Sequence, residues 1–208
     1  MRKTLLFALL VSLPSVILGF AAKKKGGKPK KSTSSSNKGF GAAPQTLESV
    51  LEGFPTRMPT DADSRDCPCG TMGKVYADCC GPLHRGLRPC LTPTDVLRSR
   101  YTAFTLRNIP YSMDTTHETC RDYREDRIAW AKDLNKGGMF DSFEFVNLEI
   151  LGDAGPEEAG ADESNEGFVE FKVTLRGKVD SVSTLAGQET AVPERARFLR
   201  DAEEGSWT

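Results

Sequence analysis

Histidine is scarce in this sequence, which has only His84 and His117 among its 208 residues. Because histidine is the side chain that most often transfers protons in catalysis, the chain offers little material for acid–base work. The sequence also lacks a glycine-rich phosphate loop and an evident pairing of a nucleophile with a base. These absences weigh against an enzyme without excluding one.

Acidic residues are missing from the first 47 positions, which hold nine lysine and arginine residues. Residues 48–208 consequently carry 19 basic and 29 acidic side chains, a net charge near −10 that the near-neutral total hides. Electrostatic binding of nucleic acid requires clustered lysine and arginine. We therefore expect no nucleic-acid partner for the mature body.

A long uninterrupted apolar run is also missing. Residues 5–20 are largely apolar but contain Pro14, whereas a bilayer-spanning helix needs about 20 apolar residues. Basic residues before this run and small residues after it are typical of a removable signal peptide, which we predict over residues 1–21. A retained anchor is the alternative; after processing we expect no stable membrane anchor.

Residues 22–47 are rich in lysine and hydroxyl side chains and cannot form a core. They are interpreted either as a flexible basic linker of a secreted protein or as a transit-like segment. A signal peptide followed by such a segment resembles the bipartite presequence of algae with secondary plastids, which implies a plastid location. Secretion, or residence in the secretory pathway, is the alternative.

Periodicity and capping residues predict the helices of the body. Residues 48–65 are interpreted as a lead-in with one short helix near Leu47–Leu51. A helix is predicted from a cap at Thr92 until Pro110 ends it, with an apolar stripe on one face. The stripe consists of Leu97, Tyr101 and Phe104. A second long helix is predicted over residues 118–136, with two glycines ending it.

Alternating apolar and polar residues predict antiparallel strands in the second half. The strands are predicted at 140–151, 167–179 and 189–200. In the first strand the alternation changes phase at Phe145 and Val146, which predicts a bulge. Residues 153–166 are interpreted as a long acidic hairpin loop, and residues 206–208 as the start of a further strand, so we expect an incomplete C-terminus. The element order predicts an α+β domain, with helices packed on one face of a curved sheet.

Four of the six cysteines lie within fourteen positions: Cys67, Cys69, Cys79 and Cys80. Four thiolates suit tetrahedral zinc, and Lys74 and Arg85 can offset the negative charge of such a site. Two disulfides that cross between the pairs, or a redox-active dithiol, are the alternatives. His84 is a possible substitute ligand, whereas Cys90 and Cys120 are interpreted as core thiols.

The run "CPCGTMGKVYADCCG" resembles the SEC-C zinc motif, although nine residues separate Cys69 from Cys79 where the family has eight. The runs "CCGPLHRG", "TPTDVLRSRYTAF" and "ERARFLRDAEEGSWT" are similar to the YchJ-like (UPF0225) family. The resemblance implies a zinc knuckle at residues 66–90. It also implies a nuclear transport factor 2-like cone at residues 91–208, in which long helices close over a curved antiparallel sheet. It does not imply a reaction, because such scaffolds host many functions.

Two functional hypotheses follow. The first is a zinc-binding, non-enzymatic interaction module with a protein partner, because SEC-C segments resemble partner-docking knuckles. The alternative is a small-molecule-binding protein or enzyme that uses the pocket of the cone. For that pocket the best anion-binding candidates are Arg100, Tyr101 and Arg195.

Overall fold

The computed structural model describes residues 44–136, 139–154, 165–178 and 186–208. The predicted signal peptide and nearly all of the basic segment lie outside the described residues. The same holds for the two glycines predicted to end the second helix and for most of the acidic hairpin loop. None of the helices in the described part of the chain has the length and apolar character of a membrane span.

The described residues form six α-helices, one 3-10 turn and one three-stranded sheet. The helices are α1 Leu47–Glu52, α2 Gly81–His84, α3 Pro93–Leu106, α4 Ile109–Asp114, α5 Arg127–Lys136 and α6 Met139–Ser142, with the 3-10 turn at Tyr76–Asp78. The strands are β1 Phe143–Ala154, β2 Glu166–Gly177 and β3 Glu189–Leu199, antiparallel in the order β1-β2-β3. Helices first and an antiparallel sheet afterwards make an α+β fold, as predicted.

Helix α3 begins where its capping residues predict. The Asp95 backbone N–H donates to Thr92 Oγ1 at 3.0 Å, and the Thr92 N–H donates to the Asp95 carboxylate at 3.2 Å. This reciprocal capping box satisfies two backbone donors that the helix itself cannot pair. The helix ends at Arg107, whose φ of 57° lies in the left-handed region. The predicted apolar stripe is buried: Leu97, Tyr101 and Phe104.

Two helical predictions differ from the structure. The helix predicted over residues 118–136 begins only at Arg127, so the first half of that prediction is wrong. The reason is Asp126, whose carboxylate accepts the Ala129 N–H at 2.9 Å and starts a new helix at this point. The first long helix was predicted to end at Pro110, but α3 already ends at Leu106, where Arg107 adopts a left-handed conformation. Pro110 instead occupies the first turn of α4, a helix that was not predicted.

The sheet confirms the strand pattern and the bulge. Phe145 pairs with Leu175 and Asn147 pairs with Thr174, so Val146 is the extra residue of β1. A second register shift, between Ile150 and Gly152, was not predicted. Residues 140–142, predicted as strand, belong instead to α6. The alternating apolar residues of β2 are all buried: Val169, Phe171, Val173 and Leu175.

The core consists of three clusters of buried residues. In the first, α3 packs against the inner face of the sheet around Val96 and Phe171. In the second, α1 packs with α4, α5 and α6 around Trp130 and Phe140. The third contains the four clustered cysteines together with Leu106 of α3. Helix α3 therefore contributes to all three clusters and joins the cysteine-rich segment to the sheet.

Candidate metal centre

Two loops bring the four clustered cysteines together; we call Cys67, Cys69, Cys79 and Cys80 the cysteine cluster. Between the two pairs, Gly70 and Gly73 adopt φ values of 74° and 69°, which residues with a Cβ rarely adopt. Cys79 follows the 3-10 turn, and Cys80 precedes α2. Adjacent cysteines on a strand would point apart, whereas this position between a turn and a helix lets both side chains face one site.

The four sulfur atoms converge on one point. All four Sγ atoms lie within 4.8 Å of one another, and all four residues are buried. Cys69 Sγ and Cys79 Sγ are 3.5 Å apart. A tetrahedral ion with Zn–S bonds of about 2.3 Å places its sulfurs about 3.8 Å apart, so the cluster fits such an ion after small shifts. All six cysteines are free thiols in the structure, and the four of the cluster could together hold one metal ion.

The pKa values of three thiols in the cluster are strongly shifted. Hydrogen bonds from the Cys67 and Cys80 thiols hold the pKa of Cys69 far below its ordinary value. Hydrogen bonds with Cys67 and Cys69, together with burial, raise the pKa of Cys80 far above its ordinary value. Burial and the contact with Cys69 raise the pKa of Cys79 to about 12. These shifts describe a coupled group in which ionising one thiol opposes ionising the others. A bound divalent cation removes that opposition.

Two hydroxyl groups hydrogen bond to sulfurs of the cluster. Thr71 Oγ1 lies 3.2 Å from Cys69 Sγ, and the Thr71 backbone N–H also hydrogen bonds to this sulfur. Thr102 Oγ1 donates to Cys80 Sγ at 3.4 Å from the far side of the site. Donors aimed at thiolate sulfurs stabilise their negative charge and orient them towards a metal.

Two arginines contact the backbone of the cluster. Arg98 Nη1 donates to the Cys69 carbonyl at 2.9 Å, and Arg88 Nη2 donates to the Cys79 carbonyl at 3.1 Å. Lys74 and Arg85 were the residues expected to offset the charge of the site, and the pair Arg88 and Arg98 was not predicted. The sequence does contain a signal for the contact made by α3. Arg98 and Thr102 are polar residues four positions apart on this helix, so they share one of its faces.

His84 is not a ligand in this geometry. Its Nε2 lies 2.9 Å from the Ser99 carbonyl oxygen, which can only accept, so Nε2 donates and Nδ1 accepts from the Tyr76 hydroxyl at 2.9 Å. Burial lowers the pKa of His84, which favours this neutral form. Cys90 is a buried thiol beside the Tyr111 hydroxyl, in keeping with its interpretation as a core thiol.

The three predicted pocket residues do not come together. Arg100 is buried, and its Nη1 donates to the Ser112 carbonyl at 2.9 Å. Tyr101 is buried edge-on against Phe145. Arg195 is exposed and lies on the other face of the sheet, because the buried residues of β3, such as Ala196, alternate with it. A pocket that uses all three side chains is therefore inconsistent with the structure.

A small cavity that is open to solvent lies where the residues after α4 meet the end of β3. It is lined by Thr115, Thr116, His117, Thr119, Cys120, Arg197, Phe198, Leu199 and Thr208. Arg100 lies behind its wall and donates to the hydroxyls of Thr115 and Thr116 at 2.7 and 3.1 Å. Of the predicted pocket residues, Arg100 is thus the one connected to this cavity. Cys120 is half-buried in its lining rather than a core thiol.

Comparison with known proteins identifies the fold around the site. Residues 92–208, more than half of the chain, match the family model described as "YchJ, middle NTF2-like domain". A UPF0225 protein of Geobacter sulfurreducens is 43% identical over 112 residues, which are 53% of this chain and 61% of that protein. A UPF0225 protein of Serratia proteamaculans is 34% identical over 134 residues, which are 64% of this chain and 75% of that protein.

Two solved structures share the fold. A SEC-C motif-containing protein from Rhodopseudomonas palustris is 31% identical with a TM-score of 0.50, over 68% of this chain and 91% of that one. A second SEC-C motif-containing protein, from Psychrobacter arcticus, is 22% identical with a TM-score of 0.50, over 70% of this chain and 80% of that one. The family match and these neighbours agree with the observed order of a cysteine cluster followed by helices and an antiparallel sheet. The chain belongs to the YchJ (UPF0225) family, with an NTF2-like domain that follows a cysteine cluster able to hold a metal ion.

Proposed function

We propose that this chain is a zinc-binding, non-enzymatic interaction module in which the cysteine cluster holds one structural zinc ion. The observation that carries the proposal is the convergence of four buried sulfurs within 4.8 Å. Soft thiolate ligands in a closed set of four favour zinc among the common divalent ions. The hydroxyl and backbone donors around the sulfurs support the same assignment.

A structural role suits this site better than a catalytic one. Four protein thiolates fill a tetrahedral zinc ion and leave no position for an activated water molecule. The donor set therefore supports a metal that holds two loops together. It does not supply the open coordination position that zinc hydrolases use.

The exposed apolar surface near the knuckle favours a protein as the binding partner. Six large apolar side chains are exposed in the described residues, and four of them lie between residues 58 and 91: Met58, Met72, Leu87 and Leu91. Met72 is 95% exposed, on the loop between the two cysteine pairs. Apolar side chains held on a small rigid loop are typical of a surface that contacts another protein.

Metal analysis tests the zinc assignment directly. Protein purified without added metal is expected to contain one zinc per chain by elemental analysis. Cys79→Ser should lose most of it, and Cys120→Ser, which removes a thiol outside the cluster, should keep it. Absence of zinc in the unmutated protein, together with two mapped disulfides, would contradict the assignment.

Partner capture tests the docking surface separately from the metal. Met72→Asp should retain one zinc per chain but lose capture of a partner from an extract of the source cells. Leu151→Asp is the matched control, because Leu151 is 53% exposed and belongs to β1 rather than to residues 66–90. If both variants capture the same partner as the unmutated chain, the loop around Met72 is not the docking surface.

The cavity beside β3 favours a second candidate function, the binding of a small molecule. Its lining combines hydroxyls, an imidazole and a guanidinium with the apolar Phe198 and Leu199. Because the Thr119 backbone N–H donates to His117 Nδ1 at 3.2 Å, the neutral imidazole carries its proton on Nε2. Thermal-shift screening of small anions against the chain and a His117→Gln variant tests this candidate. A stabilising anion that the variant no longer binds would favour it.

We further propose that the protein acts in a plastid, reached through the presequence expected at residues 1–47. A reducing plastid interior keeps thiols free, and free thiols are what the cysteine cluster requires to bind a metal. The alternative, an oxidising secretory compartment, would favour disulfides instead.

A further inference from the structure

Helix α3 of the NTF2-like domain reaches into the cysteine cluster through one side chain. Thr102 is fully buried, and its hydroxyl donates to Cys80 Sγ at 3.4 Å and lies 3.9 Å from Cys67 Sγ. The hydroxyl therefore lies beside one sulfur from each of the two loops that form the site. The cluster is lined on this side by a residue that the NTF2-like domain supplies.

Thr105, one turn along the same helix, provides a direct comparison. Its hydroxyl donates to the Tyr101 carbonyl at 2.9 Å, the i−4 contact that threonine commonly makes in a helix. Thr102 directs its hydroxyl proton to a sulfur of a different element instead. A buried hydroxyl placed between thiols is thus a specific feature of this position rather than a general property of threonine on α3.

We propose that Thr102 is a positioning residue of the metal site, and that through it metal binding and the folding of the NTF2-like domain are linked. The inference rests on the proposed function in one respect, namely that the cysteine cluster holds a metal ion. The hydroxyl stabilises the Cys80 sulfur as a thiolate and fixes its direction. Because Thr102 also packs within α3, the metal holds the helix as well as the two cysteine loops.

Two further contacts extend the link along α3. Arg98, one turn before Thr102, donates to the Cys69 carbonyl at 2.9 Å. Leu106, one turn after it, packs in the apolar cluster of the cysteines. Three positions spaced four apart, residues 98, 102 and 106, thus place one face of α3 against the metal site. Removal of the metal should consequently loosen α3, the helix that packs on the sheet. The effect should not be confined to the knuckle.

Variants of the full chain test the positioning role. Thr102→Val keeps the shape of the side chain but removes the hydroxyl, and should weaken zinc binding by about tenfold or more. Thr102→Ser should restore most of the affinity, and Thr105→Val should leave it unchanged. The measurements are competition for zinc with a chromophoric chelator and, with cobalt in place of zinc, the thiolate-to-cobalt absorption band, which reports the geometry at the sulfurs.

The outcomes separate this inference from the proposed function. If the unmutated chain binds no zinc or cobalt, the proposed function and this inference both fail. If it binds one ion and Thr102→Val binds it equally well with the same cobalt spectrum, only the positioning role is refuted. If Thr102→Val does not fold, the link is tested with the Thr102→Ser and unmutated proteins instead. In both, chelation of zinc must lower the temperature at which the sheet unfolds. An unchanged melting temperature would refute the link.

Discussion

Arg100 provides the sharpest test of how the NTF2-like domain is held together. The structure records its Nη1 donating to the Ser112 carbonyl and to the hydroxyls of Thr115 and Thr116, at distances of 2.7 to 3.1 Å. These contacts tie α3 to the end of α4. Burial lowers the pKa of Arg100 to about 10, so the guanidinium is charged at neutral pH and its hydrogen bonds are charge-assisted.

Replacing Arg100 with methionine removes the charged donor and keeps most of the apolar stem. The acceptors are not left entirely without partners, because the Thr116 hydroxyl also donates to the Ser112 carbonyl at 2.7 Å. We therefore expect a loss of about 1 kcal/mol for each of the three contacts, or about 3 kcal/mol in total. For a body of this size, such a loss lowers the melting temperature by roughly 6–12 °C.

Urea denaturation measures this change, with Arg195→Met as the matched control. Arg195 is exposed, its Nε lies 3.8 Å from Glu170, and its guanidinium lies over the Phe168 ring. Its replacement should cost only about 0–1 kcal/mol. A free energy of unfolding for Arg100→Met within about 0.5 kcal/mol of the unmutated protein, a difference typical of surface substitutions, would refute this role of Arg100. If Arg100→Met is as stable as the unmutated protein but no longer binds a small anion, the cavity is favoured as the functional site.

A fluorescent protein fused to residues 1–46 should enter a plastid, whereas a fusion to residues 1–22 should remain in the secretory pathway; secretion of both would reduce the basic segment to a linker. Arg107→Met should lower the free energy of unfolding in urea by about 2–4 kcal/mol, because its buried guanidinium donates to both oxygens of Asn135; a change under 1 kcal/mol would show that these bonds are dispensable. The Asp201 carboxylate accepts two backbone N–H groups that lower its pKa, so the turn it forms should be intact above its ordinary pKa and weaken as pH falls through the lowered value. NMR titration of this carboxyl should give a pKa below that of an unfolded peptide, and equal values would contradict the turn.

The sequence predicted those parts of the fold that depend on local pattern. Alternation in β2, the cap at Thr92 and the phase change at Val146 are local signals, and the structure confirms each of them. The prediction of one helix over residues 118–136 was wrong because an aspartate can lie inside a helix or cap the start of a new one. The composition of the segment does not distinguish these two cases.

The candidate site was predicted only in part, for a similar reason. The cysteine pairs are close in sequence, so their convergence could be predicted from spacing. Thr102 and Arg98 approach the cluster only through the packing of α3, which spacing along the chain does not report. These contacts cross the predicted boundary between residues 66–90 and residues 91–208, and the sequence pattern does not show which residues meet across it.

The extra residue at Val146 has a consequence for how the length of β1 can change. The inward side chains before it, Phe143 and Phe145, and those after it, Leu148 and Ile150, stay on one face because this one residue is left out of the pairing. Deleting Val146 would convert β1 to regular alternation and keep all four side chains on that face. Deleting Glu149 would move Ile150 to the other face, since one residue reverses every later side chain. Single-residue deletions among homologues should therefore accumulate at Val146 or Asn147, whose loss leaves the same alternation, and be rare at Glu149. Alignment gaps at these two positions would mark a tolerated change in strand geometry.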